Sequence, residues 1–140
     1  MKFVALLLLI TTTNVFASEV FSFYYSGFEG RNRVFLSCDY AEDTTYSVLE
    51  KLGAVDIEVN CYGGINTGSM QPVSIRASYT KLNQTQSGDI LTINSNSGNC
   101  FFDTKLIDNL LRNFPEYKII SRRRHCFSST DSYQYNLETL

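Results

Sequence analysis

The chain has 140 residues, with 12 basic and 14 acidic side chains and a formal net charge of −2. That length suits one domain with its own core. The slightly acidic balance argues against nucleic-acid binding through an overall basic surface, although it leaves room for a local basic patch. Phe and Tyr are the heavy apolar material, and there is no Trp.

The first residues follow the order of an export signal. Lys2 precedes a short apolar run, Phe3 to Ile10, and Val15-Phe16-Ala17 places small residues where a signal peptidase cuts. The run is shorter than the roughly 20 residues a bilayer-spanning helix needs. Residues 1–17 are therefore expected to be cleaved, leaving residues 18–140 with no integral membrane anchor. The destination is expected to be periplasmic or extracellular.

Two strand-helix units are expected next. Val20 to Tyr25 reads as an aromatic strand, and Val34 to Cys38 as a returning strand by its period-2 alternation. Tyr46, Val48, Leu49 and Leu52 recur at helical spacing. Glu42 and Asp43 lie near the expected helix start and Gly53 near its stop. Val55 to Cys61 then alternates cleanly as a strand. A glycine-rich segment, 63–71, reads as a linker. Although its glycine spacing imitates a phosphate loop, it lacks the lysine and the following helix that such a loop requires.

The second unit repeats the pattern. Val73 to Thr80 and Asp89 to Ile93 read as strands joined by a polar hairpin loop. Asp103 is expected to cap a helix whose apolar stripe is Leu106, Ile107, Leu110, Leu111 and Phe114, with Pro115 ending it. Tyr117 to Cys126 is the next strand. Residues 128–140 read as a polar tail holding a short strand near Tyr133 to Leu137. The fold class expected is α+β: two β-β-α-β units, 18–62 and 72–127, forming a mostly antiparallel sheet with two helices on it. The likeness of the units suggests an internal duplication.

Cys38, Cys61, Cys100 and Cys126 in an exported chain read as two disulfides. Cys38–Cys61 and Cys100–Cys126 are the expected pairs, because each flanks one helix and closes a local loop. Neither C-x-x-C nor closely spaced metal-ligand pairs occur, so no redox site, metal or other cofactor is expected. Arg122, Arg123, Arg124 and His125 form the candidate ligand-binding cluster, since guanidinium forks suit phosphate or carboxylate. The same charges also suit a strand end that resists edge-to-edge pairing.

Among Asp39, Glu42, Asp43, Asp56 and Glu58 an acid/base pair is conceivable, but the helix terminus explains Glu42 or Asp43 more simply, and strand exposure explains Asp56 and Glu58. Phe21, Phe23, Tyr24, Tyr25 and Phe28 read as core before they read as a binding platform. The expected function is a small exported binding or inhibitory module for a protein or an anionic envelope ligand, without catalytic residues. The alternatives are a secreted hydrolase using carboxylates or His125, and an envelope or secretion accessory protein.

Overall fold

The computed structural model describes residues 17–66, 68–82, 86–96, 99–126 and 131–140. Of the export signal expected over residues 1–17, all but Ala17 lies outside the described residues. In chain order the elements are β1 (Ser18–Tyr25), a small hairpin of β2 (Phe28–Glu29) and β3 (Asn32–Arg33), α1 (Cys38–Lys51), β4 (Ala54–Asn66) and β5 (Ser69–Lys81). There follow β6 (Ile90–Ser95), α2 (Cys100–Leu110) with a 3-10 turn at Leu111–Asn113, β7 (Tyr117–His125) and β8 (Ser132–Thr139).

The fold class is the expected one: two helices packed on antiparallel sheets, tied by two disulfides. The strands group differently from the expected units. Two three-stranded sheets form, ordered β1-β5-β4 and β6-β8-β7. In each, the last strand in sequence lies between the first two and runs antiparallel to both. Each half therefore reads strand, helix, strand, strand. β5, assigned by its position to the second half, completes the first sheet. Its Val73, Ile75 and Ala77 pair with Tyr25, Phe23 and Phe21 of β1, and all six are buried on one face. Matching two apolar rows in register outweighs the local hairpin that proximity to β6 would favour.

Two further expectations are corrected by the same pairing. Residues 63–66 and 69–71, within the expected linker, instead pair as the end of a β4–β5 hairpin. Its glycines serve backbone approach: Gly63 (φ 87°) and Gly64 (φ 77°) take left-handed conformations, and a Cβ on Gly64 would sit 2.7 Å from the Leu36 carbonyl oxygen. The tail, 128–140, contains β8, the central strand of the second sheet, with Tyr133, Tyr135, Leu137 and Thr139 buried. The polar residues between them face outward, where Asn136 accepts from Thr92 of β6 and donates to Ser121 of β7 across the sheet, and also accepts from Gln134 of its own strand.

Both helices begin earlier than their apolar stripes imply. Ser37 caps α1, its hydroxyl accepting from the Tyr40 amide at 3.2 Å, so Cys38 opens the helix instead of ending a strand. α2 starts at Cys100 after Asn99, which places Asp103 inside the helix rather than at its cap. Asp39 is the acidic residue in the first turn of α1. Glu42 and Asp43 lie one turn further on.

One buried cluster draws on both sheets and both helices. Phe102 is at its centre, with ring centroids 5.9 Å from Phe23, 5.4 Å from Tyr25 and 6.1 Å from Tyr40. Phe21, Phe23 and Tyr25 are core, as expected, whereas Tyr24 and Phe28 point to solvent. Across the join, Tyr79 stacks on Phe114 at 5.5 Å, Lys81 lies over the same ring and donates to the Asn113 carbonyl, and the Tyr117 hydroxyl donates to the Leu52 carbonyl.

The disulfides are Cys38–Cys61 and Cys100–Cys126, with Cα atoms 5.4 and 5.2 Å apart. Each links the first residue of a helix to the second strand of its half or to the residue just beyond it. Replacing Cys38 and Cys61 together by Ala is expected to lower the unfolding free energy by about 3 kcal/mol, the loop-closure value for a bridge of this span. Urea unfolding of the oxidised native chain and the variant measures it. An unchanged midpoint would mean that packing alone holds α1 on β4.

Candidate functional site

The structure divides the Arg122–His125 cluster. Ladder register sets Arg122 opposite Tyr135 and Arg124 opposite Tyr133, on the sheet face that α2 covers. Arg123 and His125 lie opposite Gln134 and Ser132, on the outer face. A one-residue bulge between Ile119 and Ser121 fixes this phase. Arg122 is already engaged: its guanidinium bonds both carboxylate oxygens of Asp108 at 3.1 and 3.0 Å, and the Tyr135 hydroxyl donates to the same carboxylate. That negative neighbour raises the Arg122 pKa further. Cys126 is oxidised and cannot act as a nucleophile beside His125.

Arg124 lines a cleft of about 340 Å³ between α2 and β7, together with Glu29, Phe101, Thr104, Lys105 and Cys126. Lys105 pairs with Glu29 at 2.6 Å and lies over the Tyr25 ring. Among the described residues, no carboxylate forms an ion pair with Arg123 or Arg124. Every residue of β7 after Tyr117 is exposed, including Ile119 and Ile120, and among the described strands β7 pairs only with β8.

The corresponding edge in the first half is partly taken up from within the chain. There the Cys61 amide donates to the Glu42 carboxylate at 2.8 Å, and the Ile65 amide donates to the Leu36 carbonyl at 2.7 Å. Glu42 stands four residues after the cysteine that opens α1. Four residues after the cysteine that opens α2 stands Thr104, whose hydroxyl turns back to the Cys100 carbonyl at 2.8 Å. Where the first half spends a carboxylate on its strand edge, the second half leaves a cleft with a guanidinium in it.

A second cleft, of about 280 Å³, lies between α1 and β6. Asp103 forms part of its lining and is only 2% exposed. The Tyr40 hydroxyl donates to both Asp103 oxygens, at 2.8 and 2.9 Å, while accepting from the Asn99 amide at 2.9 Å. The Tyr133 hydroxyl is a second hydrogen-bonding partner of the carboxylate. Burial raises the Asp103 pKa to about 6, and the bonds from Tyr40 and Tyr133 offset part of that rise. Burial likewise pushes Tyr40 up to about 12 and raises Tyr133.

Sequence reasoning missed this group by reading Asp103 as a cap. The signal was present, since position 103 falls three and four residues before Leu106 and Ile107 and so lies on the buried stripe of α2. The other carboxylates weighed behave as expected for surface groups: Asp39, Asp56 and Glu58 are exposed. Asp43 stands at the rim of the Asp103 cleft. Among the described residues no group of three or more His, Cys, Asp or Glu side chains could hold a metal ion. No helix is long and apolar enough to cross a membrane, again among the described residues. Compared with protein-family models, curated proteins and solved structures, the chain matches none.

Because burial raises the folded-state pKa of Asp103 above the ordinary carboxyl value to about 6, the group's stabilising contribution is complete below about pH 4 and is lost as the pH rises through about 6. The unfolding free energy of the native chain, minus that of Asp103→Asn, is expected to fall by about 3 kcal/mol across that window. Denaturant titrations of both proteins at a series of pH values measure it. A difference independent of pH would contradict the buried, ionisable carboxyl.

Proposed function

We propose that the protein is an exported binding module that captures an extended acidic segment of another protein along β7. The observation that carries this reading is the unequal treatment of two corresponding strand edges. The β4 edge is partly taken up from within by Glu42 and Leu36, whereas β7 is paired on one side only and opens beside Arg124 and Lys105. A partner strand adding to β7 would gain main-chain hydrogen bonds, and an acidic side chain entering the cleft would take the part that Glu42 plays in the first half. Charge-assisted bonds to Arg124 would add to the affinity and fix the register. The charges of β7 repel a second copy of the same strand and attract an acidic one, so they serve protection and selection together.

Export fits the order of residues 1–17 and the two disulfides, which belong to an oxidising compartment. We also read the two halves as copies of one ancestral unit. They share strand order, a bulge early in the second strand, and a crosslink from the helix start to that strand.

Soluble peptides alternating Val with Glu, or Val with Lys, provide the test. The acidic peptide is expected to bind, more weakly as salt is raised, and to protect β7 amides from hydrogen exchange. Arg124→Glu is expected to weaken it tenfold or more, or about 1.4 kcal/mol. Equal binding of both peptides, or an Arg124→Glu variant that binds as the native chain does, would refute the assignment.

A further inference from the structure

The Asp103 cleft is separate from β7 and carries a chemistry of its own. Strong asymmetry between the halves marks it. Two and three residues after its opening cysteine, α1 has Tyr40 and Ala41, whereas α2 has Phe102 and Asp103. Tyr40 and Phe102 meet, their ring centroids 6.1 Å apart, so each helix sets an aromatic ring near the start of the other. On one side of this contact the hydroxyl of Tyr40 reaches the carboxylate of Asp103. The corresponding residues on the other side, Phe102 and Ala41, are apolar and fully buried. The scaffold thus packs this position with a methyl group in one half, and the carboxylate in the other is no requirement of the fold.

An ionised carboxylate buried without a positive partner is costly. Among the described residues no Lys, Arg or His forms an ion pair with Asp103. Its hydrogen-bonding partners are the two phenols. A carboxylate has about four acceptor positions, and two phenols leave about half of them open. The titratable groups around it are Tyr40, Asp43 and Lys51 from α1, Tyr133 from β8, and Tyr25 acting from β1. β6 lends Ile93, Asn94 and Ser95 to the lining and no charge. Asp43 at the rim attracts a cation and Lys51 opposes it, so the cleft keeps a net negative charge when Asp103 is ionised. The Tyr40 and Tyr133 rings add aromatic surface of the kind that favours cations.

We propose that the cleft between α1 and β6 is a binding site for a primary ammonium group on an aliphatic chain, with Asp103 as its counter-ion. At about 280 Å³ the space is small for a drug-sized ligand and suits a single unbranched chain. Entry of the ammonium would supply the positive charge that the carboxylate lacks, while the Asn94 amide and the neighbouring hydroxyls could receive the remaining N–H groups. A lysine side chain of a partner and a free alkyl amine share this chemistry.

The test uses the oxidised chain and three probes: N-acetyl-lysine amide, cadaverine and the neutral N-acetyl-norleucine amide. Calorimetry at pH 7.5 is expected to show binding of one or both amines, tighter than the norleucine compound by at least tenfold. Preference for the lysine amide points to a protein side chain as the natural occupant, and preference for cadaverine to a free amine. Affinity is expected to fall about tenfold per pH unit below the Asp103 pKa and to be lost in Asp103→Asn. Should that variant fail to fold, carbon-detected NMR of the native chain gives the same answer, because a bound amine must shift the Asp103 titration to lower pH. Equal binding of the neutral and charged probes, no binding at millimolar concentration, or an Asp103 titration unmoved by amine would each overturn the proposal.

Discussion

The structure depends on one arrangement used twice: a disulfide from the first residue of a helix to the second strand of the same half. This bond fixes where the helix starts against the sheet and how it is turned about its axis. The next residues then have set positions. Two after the cysteine, an aromatic ring meets its counterpart from the other helix. Three after it, a side chain enters the core. Four after it, a side chain reaches toward the edge of the second strand or back along its own helix. Tyr40, Ala41 and Glu42 fill these places in the first half, and Phe102, Asp103 and Thr104 in the second.

Each substitution in that series moves polarity from one place to another. Glu42 satisfies a strand amide, and Thr104 leaves the matching place open beside Arg124. Ala41 completes an apolar contact, and Asp103 buries a charge whose cost Tyr40 and Tyr133 reduce. One scaffold thus presents a half whose strand edge is partly taken up and a half whose edge is open. A cationic cleft lies between α2 and β7, and an anionic one lies where the halves meet, between α1 and β6, with Asp103 of α2 in its lining. Both draw side chains from the first turns of α2, whose opening cysteine is covalently tethered.

Much of this was legible in the sequence because it depends on local periodicity. The alternation from Val55 to Cys61 identifies a strand, and Ile57, Val59 and Cys61 pack against the core as it implies, but the bulge between Val55 and Glu58 sets Val55 opposite Thr80 instead of on that face. The stripe from Leu106 to Phe114 identified α2, and Pro115 its end. Where long-range pairing decides, periodicity was silent. Val73 to Tyr79 alternates equally well for a hairpin with β6 or for a place between β1 and β4, and only the match of buried rows selects the second. The polar residues between Tyr133, Tyr135 and Leu137 looked like a tail because a central strand with one solvated face carries polar residues at every other position. The glycines at 63 and 64 looked like punctuation, although their positive φ serves a close approach to Leu36 and Pro72. Asp103 was visible as a carboxylate on an apolar stripe, but its phenolic partners come from α1 and β8, far away in sequence.

The position of the third strand in each half bears on the order in which its parts can be joined. In neither half do the first two strands pair with each other; both pair with the third, which comes last in the chain. Both cysteines of each bridge precede that strand in the chain. In an oxidising environment, the helix and second strand can thus be joined covalently before the central strand is in place. A bridge made at that stage meets part of the entropic cost of bringing helix and strand together before the ladder forms.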